Sequence, residues 1–225
     1  SQARQLPGVA FDGEKIINFR RALDLTRVPA STLIVGAGPI GMEFATIWSR
    51  YGSDVTVVEL LEHALPLEDV SVSTEAEKQF KRNGIKILTG SSVASLNPLE
   101  TGVNVTFQSG ETQQSLSVET VLVAIGFTAN SENLGLDAIG VKTTGGNIDI
   151  DERMGTSVPH IYAIGDVTGK MCLAHVASAQ AMIAAEAIAG KPTPTLVYSD
   201  IPRCTYSAPE VSSVGLTEGQ AVEQG

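Results

Sequence analysis

The stretch TLIVGAGPIGMEFATIWSRYGSDVTVVE, residues 32–59, decides the fold. It predicts a buried strand over 32–35, a glycine turn, a helix, and a second apolar strand over 55–58 that ends in an acid. Gly36 lets the chain leave the strand in a tight turn, Gly38 lets backbone approach a pyrophosphate, and Gly41 lets helix and strand pack closely. Pro39 takes the first helical position, where a missing N–H costs nothing, and Ile40 follows it in the first turn, whose free N–H groups point at the anion. Glu59 lies 21 positions after Gly38, the reach needed to hydrogen-bond a ribose diol. Three glycines alone are a weak signal; framed by strand, helix, strand and terminal acid they become a strong one.

Outward from this unit, the chain of 225 residues is long enough to bury a sizeable core as one large domain or two small ones. Its net charge of −10 argues against nucleic acid or an anionic membrane surface as a partner. A dinucleotide is also anionic, so local N–H groups must hold it. Cys172 and Cys204 stand 32 positions apart outside any CxxC pattern, which suits a reducing, cytoplasmic compartment and packed small side chains rather than nucleophiles. No apolar run approaches the roughly 18 residues a membrane span needs. Opening on Ser1 without an initiator Met, the chain reads as an excised piece of something longer.

Residues 1–25 read as a connector with a short helix over 19–25, and 26–130 as the nucleotide-binding domain. Its second helix starts at Asp69 as N-cap, carries Val72, Ala76 and Phe80 on one face, and stops at Gly84 before a third strand over 85–88. Three alternating segments over 93–96, 103–107 and 113–116 predict an antiparallel meander in place of a crossover helix. The apolar run 120–125 returns to the parallel sheet and ends at Gly126. Past Asn130 the chain turns glycine-rich, with short strands expected near Ile148 and over 161–164, the latter ending in Gly165-Asp166. An alanine-rich helix over 173–189 has small side chains on every face and so predicts close packing all round. Residues 195–225, with strands over 201–206 and 211–214 and a helix start at Thr217, read as the opening of another module.

The order GAGPIGMEFA, VTVVE, VLVAIG, TSVPHIYAIGD, LAH and IPRCTYSAPEVSSVGLTE resembles the flavin-dependent pyridine nucleotide–disulfide oxidoreductases, most closely the branch that oxidises dihydrolipoyl groups. The resemblance covers essentially the whole chain. It implies an α/β architecture: a Rossmann-like NAD-binding domain of parallel sheet plus antiparallel meander, the second part of a split FAD-binding domain (131–194), and the start of an interface domain (195–225). It implies FAD and NAD as cofactors, a homodimer, and a lipoyl-bearing carrier domain of a 2-oxo acid dehydrogenase complex as partner. Electrons would pass from a dithiol to an enzyme disulfide, to FAD, and as hydride to NAD.

The same resemblance gives individual residues their roles. Asp166 would hydrogen-bond a flavin ribityl hydroxyl, with Gly165 clearing space; Leu173, Ala174 and His175 would open a helix whose positive end faces the flavin pyrimidine. Gly126 belongs to the same cofactor-binding set. His175 would pack rather than transfer protons, because the family's His–Glu pair lies in the interface domain. Glu43 resembles the acid that pairs with a lysine near flavin N5; otherwise it is a solvated helix residue. Phe127 stands where many members carry arginine, and Pro39 where some carry a flavin-shielding tyrosine. Residues 60–67 hold no Arg or Lys, so Glu59 would select NAD over NADP. No redox cysteine pair is present, and no catalytic residue is assigned, so these residues alone would not turn over. Mercuric reductases and other members of the family are the alternative branch, and a non-catalytic dinucleotide-binding module the alternative class.

Overall fold

The computed structural model describes residues 1–225 and divides into two compact units, one of residues 3–126 with 202–225, the other of residues 1–2 with 127–201. A short strand β1 (Gln2–Ala3) precedes β2 (Ile16–Ile17). The helix α1 (Phe19–Leu23) follows an Asn18 whose side chain accepts from Arg21 N–H, which satisfies one of the donors a helix start leaves free.

In the first unit β3 (Ser31–Val35), α2 (Pro39–Arg50), β4 (Asp54–Val58), α3 (Val70–Arg82), β5 (Lys86–Leu88) and β9 (Thr120–Val123) build a parallel sheet in the order β2-β9-β3-β4-β5. Alternation along β3 explains why the run is apolar throughout. Ile34 faces a cluster with Met42, Trp48, Val57 and Phe80, while Leu33 and Val35 face a second cluster with Val103, Val105 and Phe107. That second face is covered by the meander β6 (Ser91–Leu99), β7 (Gly102–Ser109) and β8 (Thr112–Val118), as the alternating segments predict.

Helix α3 begins after Asp69, but the buried face is Ser73, Ala76 and Phe80, and Val72 is 41% exposed. Spacing of three and four positions brings 73, 76 and 80 to one side; a run of fours alone drifts off the face by the first turn. The Asp69 carboxylate makes no cap of its own helix. It accepts from the Glu218 N–H at 2.9 Å, at the start of α6 (Glu218–Gln224), where Thr217 and Gln220 close a capping box. The tail also contributes the antiparallel pair β13 (Arg203–Thr205) and β14 (Val211–Ser213). Arg203 donates to Leu67 O at 3.1 Å and lies 3.6 Å from the Glu68 carboxylate.

At the entry to β9, Glu119 accepts from Arg27 and, at 2.7 Å, from Ala30 N–H. The Arg27 hydrogen bond holds its carboxyl below the ordinary range near 4.5, despite some burial. A depressed carboxylate stabilises the fold above that range and loses its contribution as pH falls through the folded value. Glu119→Gln is therefore expected to cost less than about 1 kcal/mol at neutral pH, because the pair is exposed, and to flatten the stability curve on the acid side. Urea unfolding at pH 7 and pH 4 measures both; an equally steep acid loss in the variant contradicts the assignment.

The second unit holds β10 (Phe127–Thr128), α4 (Leu136–Ile139), the pair β11 (Thr143–Thr144) and β12 (Asn147–Ile148), a 3-10 turn at Gly165–Thr168, and α5 (Ala174–Ile188). The strand expected over 161–164 reduces to one bridge between Gly155 and Tyr162. Helix α5 is not enclosed on all sides. Val176, Gln180, Ile183 and Ala184 are buried, whereas Met182 and Ile188 are 65% and 66% exposed. Small side chains permit close packing without requiring it. Cys172 and Cys204 are both free and exposed, against the expectation of packed thiols.

Candidate functional site

The glycine turn is locked by its own backbone. Gly36 has φ 103° and donates its N–H to Val58 O at 2.8 Å, so the turn is tied to the second strand. A Cβ on Gly36 would lie 2.6 Å from Ala124 O, and one on Gly41 would lie 2.0 Å from Gly36 O. Both glycines are thus required by close approach within the chain. Gly38 differs: it is the N-cap of α2 in extended backbone, and a Cβ there would meet nothing within 4 Å. Pro39 occupies the first turn, and no side chain caps the helix. The free N–H groups that any helix start carries are therefore left without a side-chain cap here, beside a Gly38 that leaves space on its own side. This arrangement fits a pyrophosphate.

Glu59 stands at the tip of β4 with 8% exposure. Its Oε2 accepts from Ala37 N–H at 2.6 Å and its Oε1 from Leu61 N–H at 2.9 Å. The carboxylate is therefore already joined to the turn that would hold the phosphates. A carboxylate has about four acceptor positions, so two remain for ribose hydroxyls. Ala37, which sequence reasoning passed over, is fully buried and also accepts from Leu65 N–H at 2.8 Å. Its place between two glycines was the signal available.

Glu43 is half-buried on α2 and accepts from Tyr206 N–H at 2.8 Å. It is engaged by the tail rather than simply solvated. Thr46, one turn further, donates to Met42 O at 2.8 Å and accepts from Ala208 N–H at 3.4 Å. Gly126, at φ 96°, is exposed and accepts from Arg4 N–H at 3.0 Å. The structure brings Gly36, Gly38, Pro39, Ile40, Gly41 and Glu59 together at one end of the parallel sheet.

In the second unit Gly165 opens the 3-10 turn at φ 74°, and Asp166 is half-buried and accepts from the Ser1 hydroxyl. Leu173, in extended backbone, is the N-cap of α5 with no side-chain cap, and Ala174 is its first residue. His175 lies exposed in that first turn. Burial, and then the Asp166 charge, push the Cys172 thiol up, so little reactive thiolate forms despite its exposure. Asp166, Leu173 and Ala174 present a carboxylate and an uncapped helix start in one unit, a donor and acceptor set that suits a polar cofactor chain.

Residues 1–181 match the family model described as pyridine nucleotide-disulphide oxidoreductase. The chain is 48% identical over 227 residues to dihydrolipoyl dehydrogenase of Mycobacterium leprae and 46% identical over 226 residues to that of Chlorobaculum tepidum. Each alignment covers 100% of this chain and 48% of the relative, so the chain spans about half the length of the curated relatives it matches. Among solved structures, LpdA of Mycobacterium tuberculosis superposes with TM-score 0.90 at 30% identity over 98% of this chain and 48% of its own. The HOCl-induced flavoprotein disulfide reductase RclA of Escherichia coli, as its Cu(II) complex, gives 0.88 at 27% over 100% and 52%. With the family model spanning most of its length, and with a locked glycine turn whose terminal acid is bonded into it, the chain belongs to the pyridine nucleotide–disulphide oxidoreductases.

Proposed function

We propose that the chain is the nucleotide-handling part of an FAD-dependent dihydrolipoyl dehydrogenase, acting as a homodimer on lipoyl-bearing carrier domains of a 2-oxo acid dehydrogenase complex in the cytoplasm. The observation that carries the reading is near-half identity, over the entire chain, to relatives named for that activity. No helix is long and apolar enough to cross a membrane. Bound flavin supplies a two-electron relay between a dithiol and NAD. This chain's own residues bind and orient. The N–H groups at Ile40 and Gly41 hold the NAD pyrophosphate, Glu59 accepts from the ribose hydroxyls, and Asp166 with the start of α5 holds the flavin. Residues 195–225 open the interface domain, and 131–194 supply the second part of the FAD-binding domain.

The likeness to RclA favours one other branch, a reductase of a different oxidised substrate within the same family. The intact, flavin-loaded protein separates them. Reduction of NAD by dihydrolipoamide is expected, with NADP at least about tenfold poorer; no turnover with dihydrolipoamide overturns the reading. Residues 1–225 alone are expected to give none.

A further inference from the structure

The fully buried side chain of Gln180, on α5, does no packing work that an apolar residue of its size would not do better, yet both ends of its amide are used. Gly165 N–H donates to Gln180 Oε1 at 2.6 Å, and Gln180 Nε2 donates to Tyr198 Oη at 2.9 Å. The orientation is fixed by chemistry: a backbone N–H has only a proton to offer, so the atom facing it must be the amide oxygen. On the other side of the same residue, Gly165 O accepts from Thr168 Oγ1 at 2.8 Å, and Thr168 is also buried. The N–H and the C=O of the glycine that precedes Asp166 are therefore each held by a buried side chain.

A residue at φ 74° in a short 3-10 turn has little else to hold it, since such a turn has poor hydrogen-bond geometry of its own. A buried amide with a partner at each end is held in place, because rotation leaves a polar atom unpaired. We propose that Gln180 is the positioning residue for Asp166: by gripping Gly165 it fixes the direction in which the Asp166 carboxylate leaves the turn. Tyr198, in the segment leading to the tail, fixes the amide in turn. The inference rests on the reading that Asp166 holds the flavin.

The test is titration of the intact apoprotein with FAD. Gln180→Leu fills the space and loses both hydrogen bonds; FAD should bind about tenfold more weakly. Gln180→Glu keeps an oxygen facing Gly165 N–H in either protonation state and lets the Tyr198 hydroxyl donate, so it should restore affinity to within about threefold. Asp166→Ala should also weaken FAD, and the double variant Gln180→Leu with Asp166→Ala should be no weaker than Asp166→Ala alone, since the grip acts through that carboxylate. A purely structural glutamine would give effects that add. Additivity, or wild-type affinity in Gln180→Leu, overturns the inference while leaving the flavin reading intact; unchanged affinity in Asp166→Ala overturns the flavin reading itself. Should the leucine variant fail to fold, Tyr198→Phe removes one hydroxyl from a half-buried ring and leaves Gln180 in place: about threefold weaker FAD supports the grip, and no change overturns it.

Discussion

Replacing Glu59 by alanine is expected to weaken NADH binding by roughly tenfold to a hundredfold and to lower the stability of the unit that carries it by about 3 kcal/mol. Two separate losses combine. The buried Ala37 N–H and the Leu61 N–H lose a charged acceptor, and a ribose would lose its hydrogen-bond partner. Adding Leu60→Arg at a side chain that is 68% exposed supplies a cation where a 2′-phosphate would lie. The double variant is expected to move preference from NADH toward NADPH by about a hundredfold. Parallel titrations of the intact protein with both nucleotides measure it, and a thermal melt separates instability from lost recognition. Unchanged discrimination would remove Glu59 from cofactor selection.

The second large effect is expected at the glycines, and there the two positions should part company. Gly41→Ala places a methyl 2.0 Å from Gly36 O, a contact no rotamer relieves because both atoms belong to the backbone frame. Overpacking of that kind costs on the order of 1–3 kcal/mol or more, and here it also forces the turn from α2, so both melting temperature and NADH affinity should fall. Gly38→Ala meets nothing within 4 Å and sits in extended backbone, so its melting temperature should stay near that of the parent. Its methyl enters the open space before α2, and NADH should bind at least about tenfold more weakly. A Gly38→Ala variant with full affinity would show that the pyrophosphate does not approach there.

The nucleotide unit was legible because each of its elements carries a local cause. The turn needs glycine, α2 tolerates Pro39 at its start, and strands buried on both faces need unbroken apolar runs. The meander was legible through its alternation. What escaped was non-local. That Asp69 would cap α6 rather than α3, that Glu43 would meet Tyr206 N–H, and that Gln180 would grip Gly165 are pairings across 149, 163 and 15 positions with no periodic trace in sequence. The error at 161–164 has a simple physical source: an apolar run bounded by glycine and proline signals burial, and only available partners decide whether it becomes a strand. In α5 the composition gave the helix and misjudged its surroundings, because alanine is at home on an exposed face as well as a covered one.

The closed contacts among Gly36, Gly41 and Ala124 carry a consequence for how such a protein can diversify. A turn made of main chain offers no side chains to exchange, so its shape is inherited whole or lost whole. On the proposed reading, variation in which nucleotide is accepted would then be written elsewhere, at the tip of β4 and in the seven or so residues after it. The turn is a fixed frame, and what can be altered without rebuilding it lies in the side chains beside it, Glu59 among them.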